Sequence, residues 1–292
     1  MRPIHRKLGR AALAFATGLA VLGAWTIGAM AETTLEKIKR EKVFKIGFAN
    51  EAPFGHMTPD GKLTGEAPEV ARVVIAKLGD VKIEGVLTEF GSLIPGIKAG
   101  RFDMIAAGMF ILPKRCKEIA FSSPTLGLSQ AFAVKKGNPK KLNSFEAVAK
   151  HADAKIVVVA GGVEREYATK TGIPDDRVVV APDFPTATAA LQTGRVDAIA
   201  LTGPSIQNIV DTAKDPNIER AKPFTDPVID GATVRKYTGF GFRPEDKDLV
   251  AFFNAELAKF LGTPEHKKLI GGFGFTDEEQ PGKAMTEQEC KG

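Results

Sequence analysis

The chain has 292 residues, 43% hydrophobic and 26% charged, which describes an ordinary globular protein with room for one large core or two smaller ones. Its formal net charge of +5 looks basic, but Arg2, Arg6, Lys7 and Arg10 precede the first acidic residue, Glu32, and without those four basic residues the balance is +1. A nucleic-acid partner therefore does not follow from the charge.

Residues 1–31 read as a secretory signal peptide: a basic start, an apolar stretch from Ala11 to about Trp25, and Ala29-Met30-Ala31 as a small-residue cleavage site. A membrane anchor is the competing reading. Thr17, Gly18, Gly23, Thr26 and Gly28 dilute the apolar run, and no later stretch is long enough to span a bilayer. The mature protein is expected in the periplasm. Export gives the two cysteines meaning: in an oxidising compartment Cys116 and Cys290 are expected to pair, tying the C-terminal tail to the helix after Pro113. With no CxxC and only His56, His151 and His266 beyond the signal, neither a metal nor a cofactor is expected.

From Val43 onward strands and helices alternate. The apolar pattern predicts a strand over Val43–Phe48, a hairpin turn at Pro59-Asp60-Gly61-Lys62, a helix over Glu66–Leu78 ended by Gly79, and a strand over Ile83–Glu89. Ser92 is positioned to cap a helix over Leu93–Ala99 closed by Gly100, and Asp103–Ala107 reads as a buried strand. A strand over Ser129–Lys135 leads to the punctuated Gly137-Asn138-Pro139. A second series follows: helix Phe145–His151, strand Ile156–Val159, helix Glu164–Thr171, strand Val178–Val180, helix Thr186–Thr193 and strand Ala198–Leu201. Ala251–Leu261 and Pro264–Leu269 read as terminal helices.

One internal echo supports two similar lobes. Gly100-Arg101-Phe102-Asp103-Met104-Ile105-Ala106 is repeated in type by Gly194-Arg195-Val196-Asp197-Ala198-Ile199-Ala200, each after an amphipathic helix and each entering an apolar strand. Catalytic signatures are missing: there is no G-x-S-x-G, Walker loop, H-E-x-x-H or dinucleotide fingerprint. A non-enzymatic role is expected.

The stretch Phe90–Thr125 carries the family resemblance. Gly100, Arg101 and Asp103, then Gly108-Met109-Phe110, Leu112-Pro113-Lys114-Arg115 and Phe121-Ser122-Ser123-Pro124-Thr125, resemble in order the corresponding segment of periplasmic solute-binding proteins of ABC importers, polar amino-acid type (family 3). The resemblance spans nearly all of Leu35–Leu269. It implies an α/β fold of two Rossmann-like lobes joined by two crossover strands, the periplasmic binding protein-like type II architecture. Lobe one would be residues 32–128 plus 236–292, and lobe two 129–235. It also implies a monomer that closes on a small solute and delivers it to membrane permease subunits. A few dehydratases share this fold, so an enzyme of that type is the minor alternative, and an amino-acid-binding protein the nearer one.

Departures from the family pattern narrow the ligand. Arg115 stands where the family's arginine forks onto an α-carboxylate, a task suited to a planar guanidinium. Thr202 stands where an aspartate commonly holds the α-ammonium, and Phe110 and Leu112 replace threonines of the first-lobe turn. A site that keeps its carboxylate clamp and loses ammonium acceptors suits a carboxylate whose positive charge is delocalised or alkylated. Phe54, Phe90 and Phe110, each near a strand end, fit a weakly hydrated cation through their ring faces. Glu51 could accept a hydrogen bond from it. Gly161-Gly162-Val163, opening the helix at Glu164, offers main-chain N–H groups for an anion. Asn50-Glu51-Ala52-Pro53-Phe54-Gly55, Leu63-Thr64-Gly65-Glu66-Ala67-Pro68-Glu69, Gly85-Val86-Leu87-Thr88-Glu89-Phe90-Gly91-Ser92-Leu93-Ile94-Pro95-Gly96 and Gly108-Met109-Phe110-Ile111 with Arg115-Cys116 look like the ectoine- and hydroxyectoine-binding branch of the family. Ectoine is a cyclic amidinium carboxylate and matches that charge pattern.

Overall fold

The computed structural model describes residues 32–291; the expected signal segment, residues 1–31, lies outside them. Two five-stranded mixed sheets dominate, one in each lobe. The first runs in the order Lys82–Leu87, Val43–Phe48, Met104–Ile105, Gly241–Phe242, Ala120–Phe121, and the second Val178–Ala181, Ile156–Val159, Ala198–Thr202, Gln130–Lys135, Ile218–Arg220. In each sheet the first three strands are parallel, and the fourth, which arrives from the other half of the chain, is antiparallel to its neighbours. This is the two-lobe, type II α/β architecture. The crossover is a short antiparallel pair, Gly127–Leu128 with Lys236–Tyr237.

Continuous apolar runs make the central strands. Ile156–Val159 is buried on both faces, sending Ile156 and Val158 to one core cluster and Val157 and Val159 to the other. The helix Glu66–Ile75 buries Val70, Ala71, Val74 and Ile75, each such Val or Ile contributing about 1.5–3 kcal/mol relative to exposure. Side-chain caps start several helices: Thr33 and Glu36 form a reciprocal capping box, Ser144 accepts from the Ala147 N–H, and Asp183 from the Thr186 N–H.

The sequence echo is a structural one. Gly100 and Gly194 both turn with positive φ, +70° and +73°. Asp103 then accepts from the Lys45 N–H through Oδ2 at 2.9 Å, and Asp197 accepts in the same way from the Lys155 N–H at 2.9 Å. Each aspartate thus pins the entry of its strand to the central strand beside it.

Several expected elements differ. Ser92 does not cap: it closes a 3-10 turn over Phe90–Ser92 with φ −97° and ψ 0°, a helical conformation that keeps its hydroxyl from the N–H groups ahead, and the helix is Leu93–Lys98. The strand expected over 103–107 is only Met104–Ile105, so Phe110 lies beyond it and makes an isolated bridge to Thr238. The helix Gly203–Thr212 was not expected; Pro204 occupies its first turn, where its missing N–H costs nothing. Among the described residues no helix is long and apolar enough to cross a membrane.

Candidate functional site

All three parallel strands of each sheet send their carboxyl ends toward one cleft, the usual ligand position of open α/β sheets. In lobe one, Glu51 follows Val43–Phe48, Phe90 follows Lys82–Leu87, and Gly108 with Phe110 follow Met104–Ile105. In lobe two, Gly162 and Val163 follow Ile156–Val159, Phe184 follows Val178–Ala181, and Thr202 ends its strand. These residues, with Phe54, Arg115, Glu164 and Leu201, line a narrow cleft with about 30 Å³ of free space. Every ligand-binding candidate read from the sequence lines it.

Arg115 sits on the single-turn helix Pro113–Cys116 and is only 5% exposed. Its Nη1 donates to the Phe110 carbonyl at 2.9 Å, and its Nη2 donates across the cleft to the Gly161 carbonyl at 3.0 Å. The guanidinium carbon lies 5.5 Å from the Phe90 ring centroid. Burial lowers its pKa to about 10, partly opposed by the Glu164 carboxylate, so it stays cationic at neutral pH. Two of its five N–H donors are committed to carbonyls and the others remain for an anion.

The aromatic wall is larger than expected. Phe184, at the start of its helix, meets Phe90 edge to face with centroids 6.4 Å apart. Phe54 packs on Gly108, whose φ is +58° and where a Cβ would sit 2.5 Å from the Phe54 ring, so that glycine is required for the wall to form.

Two carboxyls face this wall. Glu51 is 7% exposed and accepts from Ser205 Oγ at 2.6 Å, while Thr202 Oγ1 donates to Ser205 Oγ at 3.1 Å. Thr202 therefore acts through Ser205 on Glu51, a relay that joins the lobes. Burial raises Glu51 to about 8; the Ser205 hydrogen bond pulls it down and the nearby Glu164 pushes it up. Glu164 is raised to about 7, chiefly by burial, against its own and the Val163 main-chain N–H groups and Arg115. With its amide turned to satisfy both of its atoms, Gln130 donates to Glu164 Oε1 at 3.1 Å.

This geometry corrects the anion role expected of Gly162. The Gly162 N–H donates to the Val159 carbonyl at 3.0 Å, closing the turn, and the Glu164 carboxylate occupies the space against the Gly162 Cα. Glu164, Phe184 and Ser205 were not legible as site residues. Position after a parallel strand was the available signal for the first two; nothing in sequence pointed to Ser205, 154 residues from its partner Glu51.

A cationic arginine, opposed carboxyls and an aromatic wall between the two lobes form a concave site suited to a small solute. The chain belongs to the bacterial extracellular solute-binding proteins, family 3, which match residues 44–274. It is a solute-binding protein of the kind that serves amino-acid ABC transporters. It is 38% identical over 247 residues to a probable amino-acid ABC transporter periplasmic-binding protein of Sinorhizobium fredii, covering 84% of this chain and 81% of that one. Identity to the L-arginine-binding protein of Pseudomonas aeruginosa is 27% over 257 residues, 86% of this chain and 94% of the relative. Its fold is similar to the crystal structure of EhuB in complex with hydroxyectoine, with a TM-score of 0.79, 39% identity, and coverage of 88% of this chain and 97% of that chain.

Proposed function

We propose that this protein captures ectoine or hydroxyectoine in the interlobe cleft and presents the closed, liganded form to the permease of an ABC importer. In this reading residues 1–31 direct export to the periplasm and are removed. Residues 32–128 with 236–292 make lobe one, residues 129–235 make lobe two, and the monomer closes about the crossover strands. The carrying observation is the charge pattern of the cleft: Arg115 for a carboxylate, then Phe54, Phe90, Phe110 and Phe184 around two carboxyls that burial holds near neutral pH. An amidinium ring offers flat faces to the phenyl rings and N–H donors to Glu51 and Glu164, while its carboxylate meets Arg115. The likeness to hydroxyectoine-bound EhuB supports the same solute class. Ligand favours closure because only the closed form contacts it from both lobes. No turnover is expected.

A calorimetric screen of compatible solutes and amino acids tests this reading. Ectoine and hydroxyectoine should bind tightly and common α-amino acids far more weakly, because Thr202 stands where the family commonly places the aspartate that holds an α-ammonium. Binding of arginine or other amino acids without a response to ectoine would overturn the ligand assignment, and chemical conversion of the bound solute would favour the dehydratase alternative.

The ligand should also displace a proton. Glu51, at about 8, is mostly neutral at pH 7, and a neighbouring cation favours its ionised form. Affinity should therefore strengthen as pH rises from 6 toward 8, by at most about tenfold per pH unit for one linked proton, and level off above. Titrations at pH 7 in buffers of different ionisation enthalpy should report the released proton; an affinity flat from pH 6 to 8 would remove Glu51 from the cation site. The stability of the unliganded protein should move the other way. A carboxyl whose folded pKa is raised from 4.5 to about 8 contributes in full below the unfolded value, and that contribution is lost progressively as pH climbs from there to about 8. Glu66, also raised to about 8 by burial, adds to this loss without lining the cleft.

A further inference from the structure

We propose that the C-terminal tail, residues 275–291, positions the cleft's arginine and its Phe54 wall, with the Cys116–Cys290 disulfide as the clasp; the affinity arm of this inference rests on the ligand reading above. The tail lies beyond residues 44–274, the part that the family model matches.

Four contacts tie it to the site and its surroundings. Arg115 is carried by one helical turn, Pro113–Cys116, whose leading residue makes no side-chain cap, and a single turn has little stability of its own. The residue next to Arg115 is Cys116, bonded to Cys290 with S–S 2.02 Å and Cα–Cα 5.6 Å. Cys290 follows a second single turn, Thr286–Glu289, held to lobe one by Thr286 Oγ1 donating to the Ser122 carbonyl at 2.7 Å. At the other end of the tail, Phe275 is 3% exposed and its ring packs on Phe54, centroids 5.5 Å apart. Between these anchors the Glu278 carbonyl accepts from Arg235 Nη2 at 2.5 Å, immediately before the crossover strand Lys236–Tyr237. The tail thus braces the arginine turn, the ring behind the cation site and the hinge strand together. A fork-shaped donor must be held to within about 0.5 Å to serve a carboxylate, and two unsupported single turns cannot do that separately.

The test uses the full-length oxidised chain, its Cys116→Ser/Cys290→Ser variant, and oxidised protein treated after folding with a dithiol. In the last, the S–S bond breaks, both cysteines become thiols, and the dithiol closes to its own disulfide, giving up two electrons and two protons. Hydrogen exchange at the Arg115, Cys116, Glu118 and Ile119 amides, which close this turn onto Leu112 and Arg115, should speed up about tenfold or more while Ile156–Val159 is unchanged. The Kd for ectoine should rise about ten- to a hundredfold, as expected for a clamp displaced by about an ångström. In an Arg115→Lys background, opening the clasp should add less than about threefold, because both changes act on one interaction. Unchanged exchange in the turn, with Kd within about twofold of the oxidised protein, would overturn the inference. Equal losses with and without Arg115 would also overturn it, since the tail would then act on stability alone. Should the serine variant not fold, dithiol treatment and Phe275→Leu give the same readouts. Failure of the oxidised wild type to bind ectoine would sink the ligand reading, and exchange in the arginine turn would still decide the role of the tail.

Discussion

Arg115→Ala is expected to weaken ectoine binding by about 2–5 kcal/mol, the largest single loss available in the cleft. The side chain is buried, so its removal leaves the ligand carboxylate unpaired in a partly dry site. It also strips the Phe110 and Gly161 carbonyls of their donor. The second of those bonds spans the lobes, so the variant loses part of the closed form as well as the ligand contact. Arg115→Lys should recover charge but not the fork, and should remain well below wild type. Phe110→Ala should cost less, about 1–3 kcal/mol, since it removes ring area and a cation–π face but no formal charge. Titration calorimetry with a melting control separates these effects from misfolding. Wild-type affinity in Arg115→Ala would require another carboxylate partner. Gly162 is a poor candidate, because its N–H is spent on Val159.

What the sequence revealed and what it concealed divide along a physical line. Strands buried on both faces, such as Ile156–Val159, and the Gly-Arg-x-Asp joints could be read because their determinants are local: unbroken apolar runs, a positive-φ glycine, and an aspartate within reach of the adjacent strand. Residues placed at the carboxyl ends of parallel strands came together as expected because topology alone converges them. The parts that escaped are those made by bringing distant segments into contact. Ser205 reaches Glu51 only across the cleft, and Arg115 finds Gly161 only there. Ser92 failed as a cap for a different reason: the preceding 3-10 turn had already fixed its backbone in the helical region.

The same interlobe contact gives the second large expectation. Gly161 has φ +80°, and a Cβ there would lie 2.5 Å from the Gly91 Cα and 3.0 Å from the Gly91 nitrogen, on the opposite lobe. Backbone meets backbone at this point, and neither side has a flexible end that can yield. Gly161→Ala should therefore prop the lobes apart and withdraw the Gly161 carbonyl from Arg115, in addition to about 1–2 kcal/mol of left-handed backbone strain within lobe two. Each 1.4 kcal/mol of closure energy lost is a factor of ten in Kd, so a rise of about ten- to a hundredfold is expected with lobe one unaffected. Gly91→Ala is the graded control. Its added methyl would approach the Ala160 carbonyl at 3.3 Å, tight but tolerable with a small shift, and should cost less. X-ray scattering with saturating ectoine reports closure independently of affinity: the wild type should compact on binding and Gly161→Ala should compact less. Full compaction and unchanged Kd in that variant would mean that ligand capture does not need the Gly91–Gly161 approach, and the Arg115–Gly161 bond would lose its role as the link between ligand recognition and closure.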